Sequence, residues 1–203
     1  MTTARDLLIV ALDGRAERVV EQGDLSLALA GAEVIDLLQA GALRLADDRI
    51  VPAGEPAPRD GLLAEAAASL VRTEPHESLD DWLWRRGRGL STAYRSVLEA
   101  EGELTRESRR GLFARAGEHV PADSPARHRA RERRAAAEPV LAALAEAAGV
   151  HGERTGEAPD ITDDAVAAVL AAVNDAVVEL AAERQRRAID EAAFDNIWRG
   201  PAG

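Results

Sequence analysis

From Leu25 to Leu38 apolar residues recur at helical spacing. Leu27, Leu29, Ala30, Val34, Leu37 and Leu38 form one stripe, so the segment reads as a helix from about Ser26 to Ala40 packed on a core. Gly41 stops it. Leu43 and Leu45 then alternate with Arg44, Asp47-Asp48 supplies a turn and Ile50-Val51 begins a return strand, which predicts a hairpin wing directly after the helix. Upstream, Leu7 to Leu12 predicts a short apolar helix closed by Gly14, and Arg18 to Val20 reads as a strand pairing with the wing. Downstream, Pro52, Pro56 and Pro58 with Gly54 and Gly61 exclude helix, and helix resumes from Leu62 to Val71.

Ser78 followed by Asp80 and Asp81 is a helix start, because a hydroxyl caps free amides and carboxylates favour the positive helix end. The helix it opens carries Trp82 and Trp84, which cannot share one side, so one anchors the core and the other lies at an edge. Gly87 and Gly89 break it. A helix over Leu90 to Ala100 follows, then a second hairpin within about residues 103–115, with strands around Leu104 and Leu112-Phe113. Pro121, Ser124 and Pro125 introduce a long Arg/Ala/Glu helix to about Ala148, and a last helix runs from Thr162 to about Ala193. The expectation is a mainly α fold: one helical domain over residues 1–203, with two short hairpins and a flexible tail from 194.

Composition narrows the function. Hydrophobic residues make up 46% of the 203 positions and aromatics only 3%, so the core is built from Ala, Leu and Val. All 25 basic residues are Arg, a bias of the kind a GC-rich genome produces, which lowers the weight of any single arginine. The net charge of -11 argues against a general nucleic-acid binder, which gains affinity by neutralising phosphates. Cysteine is absent, which excludes disulfides, thiolate metal sites and a cysteine nucleophile. The start of the chain, with Arg5 and Asp6 ahead of its apolar run, lacks the form of a secretory signal. Ala165 to Ala182, interrupted by Asn174, Asp175 and Glu179, reads as too polar to span a bilayer, leaving peripheral membrane contact.

Several motifs in order carry a resemblance. They are residues 6–14 (DLLIVALDG), residues 29–38 (LAGAEVIDLL) with Ala40-Gly41 and the wing, residues 79–83 (LDDWL) and residues 97–104 (VLEAEGEL). Gly111-Leu112-Phe113 and a turn at residues 120–123 follow, ahead of the Arg-rich helix. Over roughly Thr3 to Ala182 this order resembles the Golgi phosphoprotein 3 family. The resemblance implies a mainly helical, non-catalytic peripheral membrane protein that binds the headgroup of phosphatidylinositol 4-phosphate. It implies a pocket joining an aromatic residue before the second helix, an arginine within that helix and basic residues opening the Arg-rich helix. Here the first position falls on or near Glu21 and the second on Ala30; the third is kept in Arg127, Arg129, Arg131 and Arg133. It also implies self-association through the hairpin bearing Leu112 and Phe113, while the residues alone equally allow both side chains to fold back into the monomer core.

The residues themselves give the same basic cluster. Arg127, Arg131 and Arg134 share one helix face and can jointly grip a phosphate or an anionic bilayer, while the plain alternative is a solvated face offset by Glu132 and Glu138. Arg85, Arg86 and Arg88 among glycines read as a helix break, because no strand precedes them and no Gly-Lys-Ser/Thr follows. His76, His119, His128 and His151 lack zinc spacing, although His119 and His128 fall near the Arg-rich helix. The pairs Asp47-Asp48, Asp80-Asp81 and Asp163-Asp164 sit at a turn and two helix starts, where capping accounts for them. No catalytic constellation, metal or cofactor is expected. The expected partner is an anionic lipid headgroup, with a homo-oligomer as a further expectation. The expected location is the cytoplasm, on the inner face of a membrane, and a Golgi location rests on resemblance alone. The alternatives are a soluble self-associating scaffold and a winged-helix DNA regulator, the latter opposed by Glu33 and Asp36 on the helix before the wing.

Overall fold

The computed structural model describes residues 2–13, 20–54, 58–106, 119–150 and 161–198. Its centre is the helix before the wing. This helix, α2 (Gln22–Gln39), is buried at every position from Leu25 to Leu37, because it is enclosed by α1 (Thr3–Asp13), α4 (Leu79–Arg86), α5 (Leu90–Ala100), α7 (Pro139–Ala147) and α8 (Asp164–Trp198). A helix so enclosed has no face left for a DNA groove. Gly31 is where α8 crosses most closely: a Cβ there would stand 2.2 Å from Val173 Cγ2. Gly41, with φ of +69°, ends α2 in the left-handed region that glycine tolerates best.

The wing forms as expected. Strands β1 (Leu43–Ala46) and β2 (Arg49–Pro52) pair antiparallel, with Leu45 opposite Ile50, around a turn where Asp47 takes a φ of 54°. The outer edge of β2 is met at Arg49 by Ser78, just ahead of α4. The strand expected at Arg18 to Val20 lies outside the described residues apart from Val20. The second hairpin pairs β3 (Leu104–Arg106) with β4 (His119–Pro121), Leu104 opposite Pro121. Its return strand thus comes later than the expected 103–115 span, and Leu112 and Phe113 lie outside the described residues.

Caps explain most helix starts. Asp60 accepts from Leu63 N at 3.1 Å to open α3 (Gly61–Ala68), Ser78 from Asp81 N at 3.0 Å to open α4, and Asp163 from Val166 N at 3.0 Å to open α8. The Arg-rich helix is shorter than expected. Instead of running to Ala148, α6 (Pro125–Ala135) gives way to α7 because Ala137 turns left-handed, φ 49°, and Pro139 opens a new helix that Glu138 caps through Leu141 N at 2.9 Å. The last helix is longer than expected and includes residues read as a tail, ending at Trp198. One side of α8, Val166, Val169, Val173 and Ala176, is buried on the body. Against the reading of this helix as too polar for a bilayer, an 18-residue window within Asp164–Ala192 reaches a mean hydropathy of 1.8, enough to cross one by length and composition alone.

Candidate anion-binding site

In α6 the small residues Ala126 and Ala130 stand one turn apart and are buried, while arginines flank them on both sides. That seam packs on α1, whose carboxylates Asp6 and Asp13 lie two turns apart. The result is two clasps. At the C-terminal end of α1, Arg127 donates from Nε to Asp13 Oδ1 at 2.9 Å, and Arg131 donates from Nη2 to the same oxygen at 3.1 Å and from Nε to Oδ2. Farther along, Arg133 Nη1 donates to Asp6 Oδ2 at 2.7 Å and Nη2 to Glu138 Oε2 at 2.9 Å. Arg129 completes that second clasp loosely: its Nε stands 3.9 Å from Asp6 Oδ1, and both atoms are buried without a hydrogen-bond partner. Arg134 reaches the carbonyl of Val10 at 3.4 Å.

The expected grouping of Arg127, Arg131 and Arg134 on one face is therefore kept, but the charges offsetting the row come from α1 as well as from Glu138. The clasp on Asp13 is the more open one, because the Arg131 side chain is 56% exposed while Asp13 is 11% exposed. Burial acts to raise the Asp13 carboxyl, and the hydrogen bonds from Arg131 and Arg127 outweigh it, holding the group below the usual carboxylate range. Two guanidinia around one carboxylate leave a cation in excess. Converging guanidinium forks of this kind match the oxygens of a phosphate.

The match to known proteins bears on what such a surface is for. The family model described as Golgi phosphoprotein 3 (GPP34) matches residues 4–192, nearly the whole described chain. The chain belongs to the Golgi phosphoprotein 3 family. No curated protein matches it. In this Golgi phosphoprotein 3 fold, Glu21 stands exposed at the cap of α2 without a side-chain cap bond, and Ala30 is fully buried, its carbonyl accepting from Trp82 Nε1 at 3.3 Å. An arginine could not occupy position 30 without displacing that packing. An open groove of about 250 Å³ does adjoin the start of α2, with Trp84 in its wall and Arg88 at its rim, but the α6 arginines do not line it.

The other sequence candidates are accounted for locally. Arg85 pairs with Glu77 at 2.6 Å and lies 5.0 Å over the Trp82 ring, while Gly87 to Gly89 form the turn between α4 and α5. His128 Nδ1 donates to the Ser124 carbonyl at 2.9 Å on the exposed side of α6, His76 contacts the Val71 carbonyl, and His151 and the side chain of His119 lie outside the described residues. No group of three His, Cys, Asp or Glu able to hold a metal occurs among the described residues. A feature that sequence reasoning missed is the buried cluster of Glu33, Arg86 and Tyr94. Arg86 meets Glu33 through Nε at 2.7 Å and Nη2 at 2.9 Å, and Tyr94 donates to Oε1 at 3.0 Å. In sequence Glu33 is only an acidic charge on the helix before the wing, because nothing local reveals a partner 53 residues away.

Proposed function

We propose that this protein is a non-catalytic peripheral membrane adaptor that reads an anionic lipid headgroup through Arg127 and Arg131, with Asp13 as the internal counter-ion that the headgroup displaces. The observation carrying this reading is the convergence of two guanidinia on one carboxylate at the open end of the α1–α6 pair. A phosphate monoester brings more charge and more acceptor oxygens than one aspartate, so exchange adds electrostatic energy at a site already assembled. Family membership supports the same reading, since the resemblance implies headgroup contact by basic residues that open this helix. Arg129 and Arg133 are held on Asp6 and act as positioning residues for the row.

The test is retention on vesicles of phosphatidylcholine containing phosphatidylinositol 4-phosphate, at low salt. The wild type is expected to be retained and R127E/R131E to be lost, with R131E alone intermediate because Arg131 is the most exposed member. Equal retention on pure phosphatidylcholine contradicts the proposal. A second reading, a soluble self-associating scaffold, draws on the exposed Glu21, the buried Ala30 and the full pairing of Arg127 and Arg133. It predicts no vesicle retention and an oligomer that Phe113→Asp disperses.

A further inference from the structure

The outward side of α8 carries a heptad seam that none of the described residues covers. Ala171, Val178, Ala182, Gln185, Ile189 and Ala192 recur at alternating spacings of three, four and seven on the side opposite the packed valines, and all six are exposed. Val178 and Ile189 are two of the few large hydrophobics left in water, 60% and 57% exposed. From Gln185 to Ala192 every residue of the helix is exposed. A helical stretch exposed on all sides is marginal in water unless something packs on it.

We propose that this seam pairs with the same seam of a second copy, antiparallel, about a two-fold axis between Glu183 and Arg184. Val178 and Ile189 stand equally far from that point, about 8 Å along the axis on either side. Each therefore lands on the other in the partner copy. Ala182 likewise meets Gln185, which lets the helices approach closely at the centre. The flanking charges agree with the same arrangement. Glu179 has no partner among the described residues, and Arg186, 62% exposed, pairs only with Glu183 on its own helix, through Nε at 3.1 Å and Nη2 at 2.8 Å. In an antiparallel pair these two flanking positions oppose one another, so Glu179 of each copy faces Arg186 of the other. A parallel pair would set Val178 on Val178 and leave both charges without an opposite. The self-matching charges favour a second copy over a neutral lipid surface, which offers Glu179 no guanidinium.

Antiparallel pairing also covers the exposed stretch from Gln185 to Ala192. Each such stretch lies on the half of the partner helix that is anchored to its own body, and the two bodies fall on opposite outer sides, clear of one another. The contact is isologous and closes as a dimer.

Light scattering tests this directly, because the monomer mass is 21.6 kDa. The wild type is expected at twice that mass. V178E and I189E, both at exposed positions and so compatible with an intact fold by circular dichroism, are expected to weaken dimerisation at least ~tenfold. E179R and R186E each weaken it, and the combined E179R/R186E chain recovers it because the pairs re-form with signs exchanged. A monomeric wild type at all concentrations overturns the proposal. So does a dimer insensitive to V178E but dispersed by F113D, or binding to neutral vesicles that V178E abolishes.

Discussion

Replacing Arg86 with methionine is expected to cost about 3–5 kcal/mol of stability near pH 8, a large share of the ~5–15 kcal/mol that holds a typical domain together. The reason lies in what stays behind. Glu33 is wholly buried, and burial already pushes its carboxyl above the usual range against the pull of Arg86. Without the guanidinium, the Tyr94 hydroxyl at 3.0 Å is the remaining donor of that cluster, and the carboxylate must be buried unpaired or take a proton. Protonation fixes the sign of the pH dependence. A carboxyl whose folded-state pKa lies above its unfolded value contributes stability that is complete below the unfolded pKa, about 4.3, and is lost as pH rises through the folded value. The deficit of Arg86→Met relative to wild type therefore shrinks from pH 8 toward pH 5. Urea unfolding followed by circular dichroism at both pH values measures it, and a deficit independent of pH would show that Glu33 is not the group left stranded.

Trp82→Ala is expected to cost a similar ~3–5 kcal/mol, for a different physical reason. Trp82 is fully buried, donates from Nε1 to the Ala30 carbonyl at 3.3 Å and supports the Arg85 guanidinium on its face. Its removal leaves a cavity against α2 and takes away a second hydrogen bond to a carbonyl that the helix ladder already uses. Trp84, two residues on and only half-buried beside the groove at the start of α2, is expected to tolerate alanine at about 1 kcal/mol or less. Thermal or urea midpoints of the two variants separate these costs, and equal losses would contradict the assignment of Trp82 as the anchor.

That division between the tryptophans was legible in the sequence only as a choice: neighbours on a helix face apart, but which one points inward depends on where α2 lies. The same holds more widely. The α2 helix and its wing, the Ser78 cap and the stop at Gly87 follow from spacing, capping chemistry and glycine, which act over a few residues and so are written locally. The break between α6 and α7 was harder to see. Alanines and arginines from Pro125 to Glu138 all favour helix, and the interruption comes from Ala137 turning left-handed ahead of Pro139. The return strand of the second hairpin is short and polar at one end, which gave its position little signal beside the more apolar Leu112-Phe113.

The arginine row shows the limit most clearly. Helical spacing groups Arg127 with Arg131 without saying what they face, because Asp6 and Asp13 belong to a helix more than a hundred residues earlier. Those two acids look, in sequence, like ordinary flanks of an apolar run. Their place opposite α6 makes the basic cluster a balanced interface whose outer end keeps a cation in excess. Under the proposed function that excess holds a headgroup, while Glu21 and Ala30 stand where the resemblance implies an aromatic residue and an arginine.

Asp13→Asn tests this account most directly, because it leaves the shape of the clasp while removing the internal charge. If Asp13 is the counter-ion that a headgroup displaces, the variant binds phosphatidylinositol 4-phosphate vesicles several-fold more tightly than wild type at the same salt, and R127E in the same background abolishes the gain. Unchanged or weaker binding by Asp13→Asn, with the fold intact by circular dichroism, would mean that Arg127 and Arg131 serve only to hold α6 on α1.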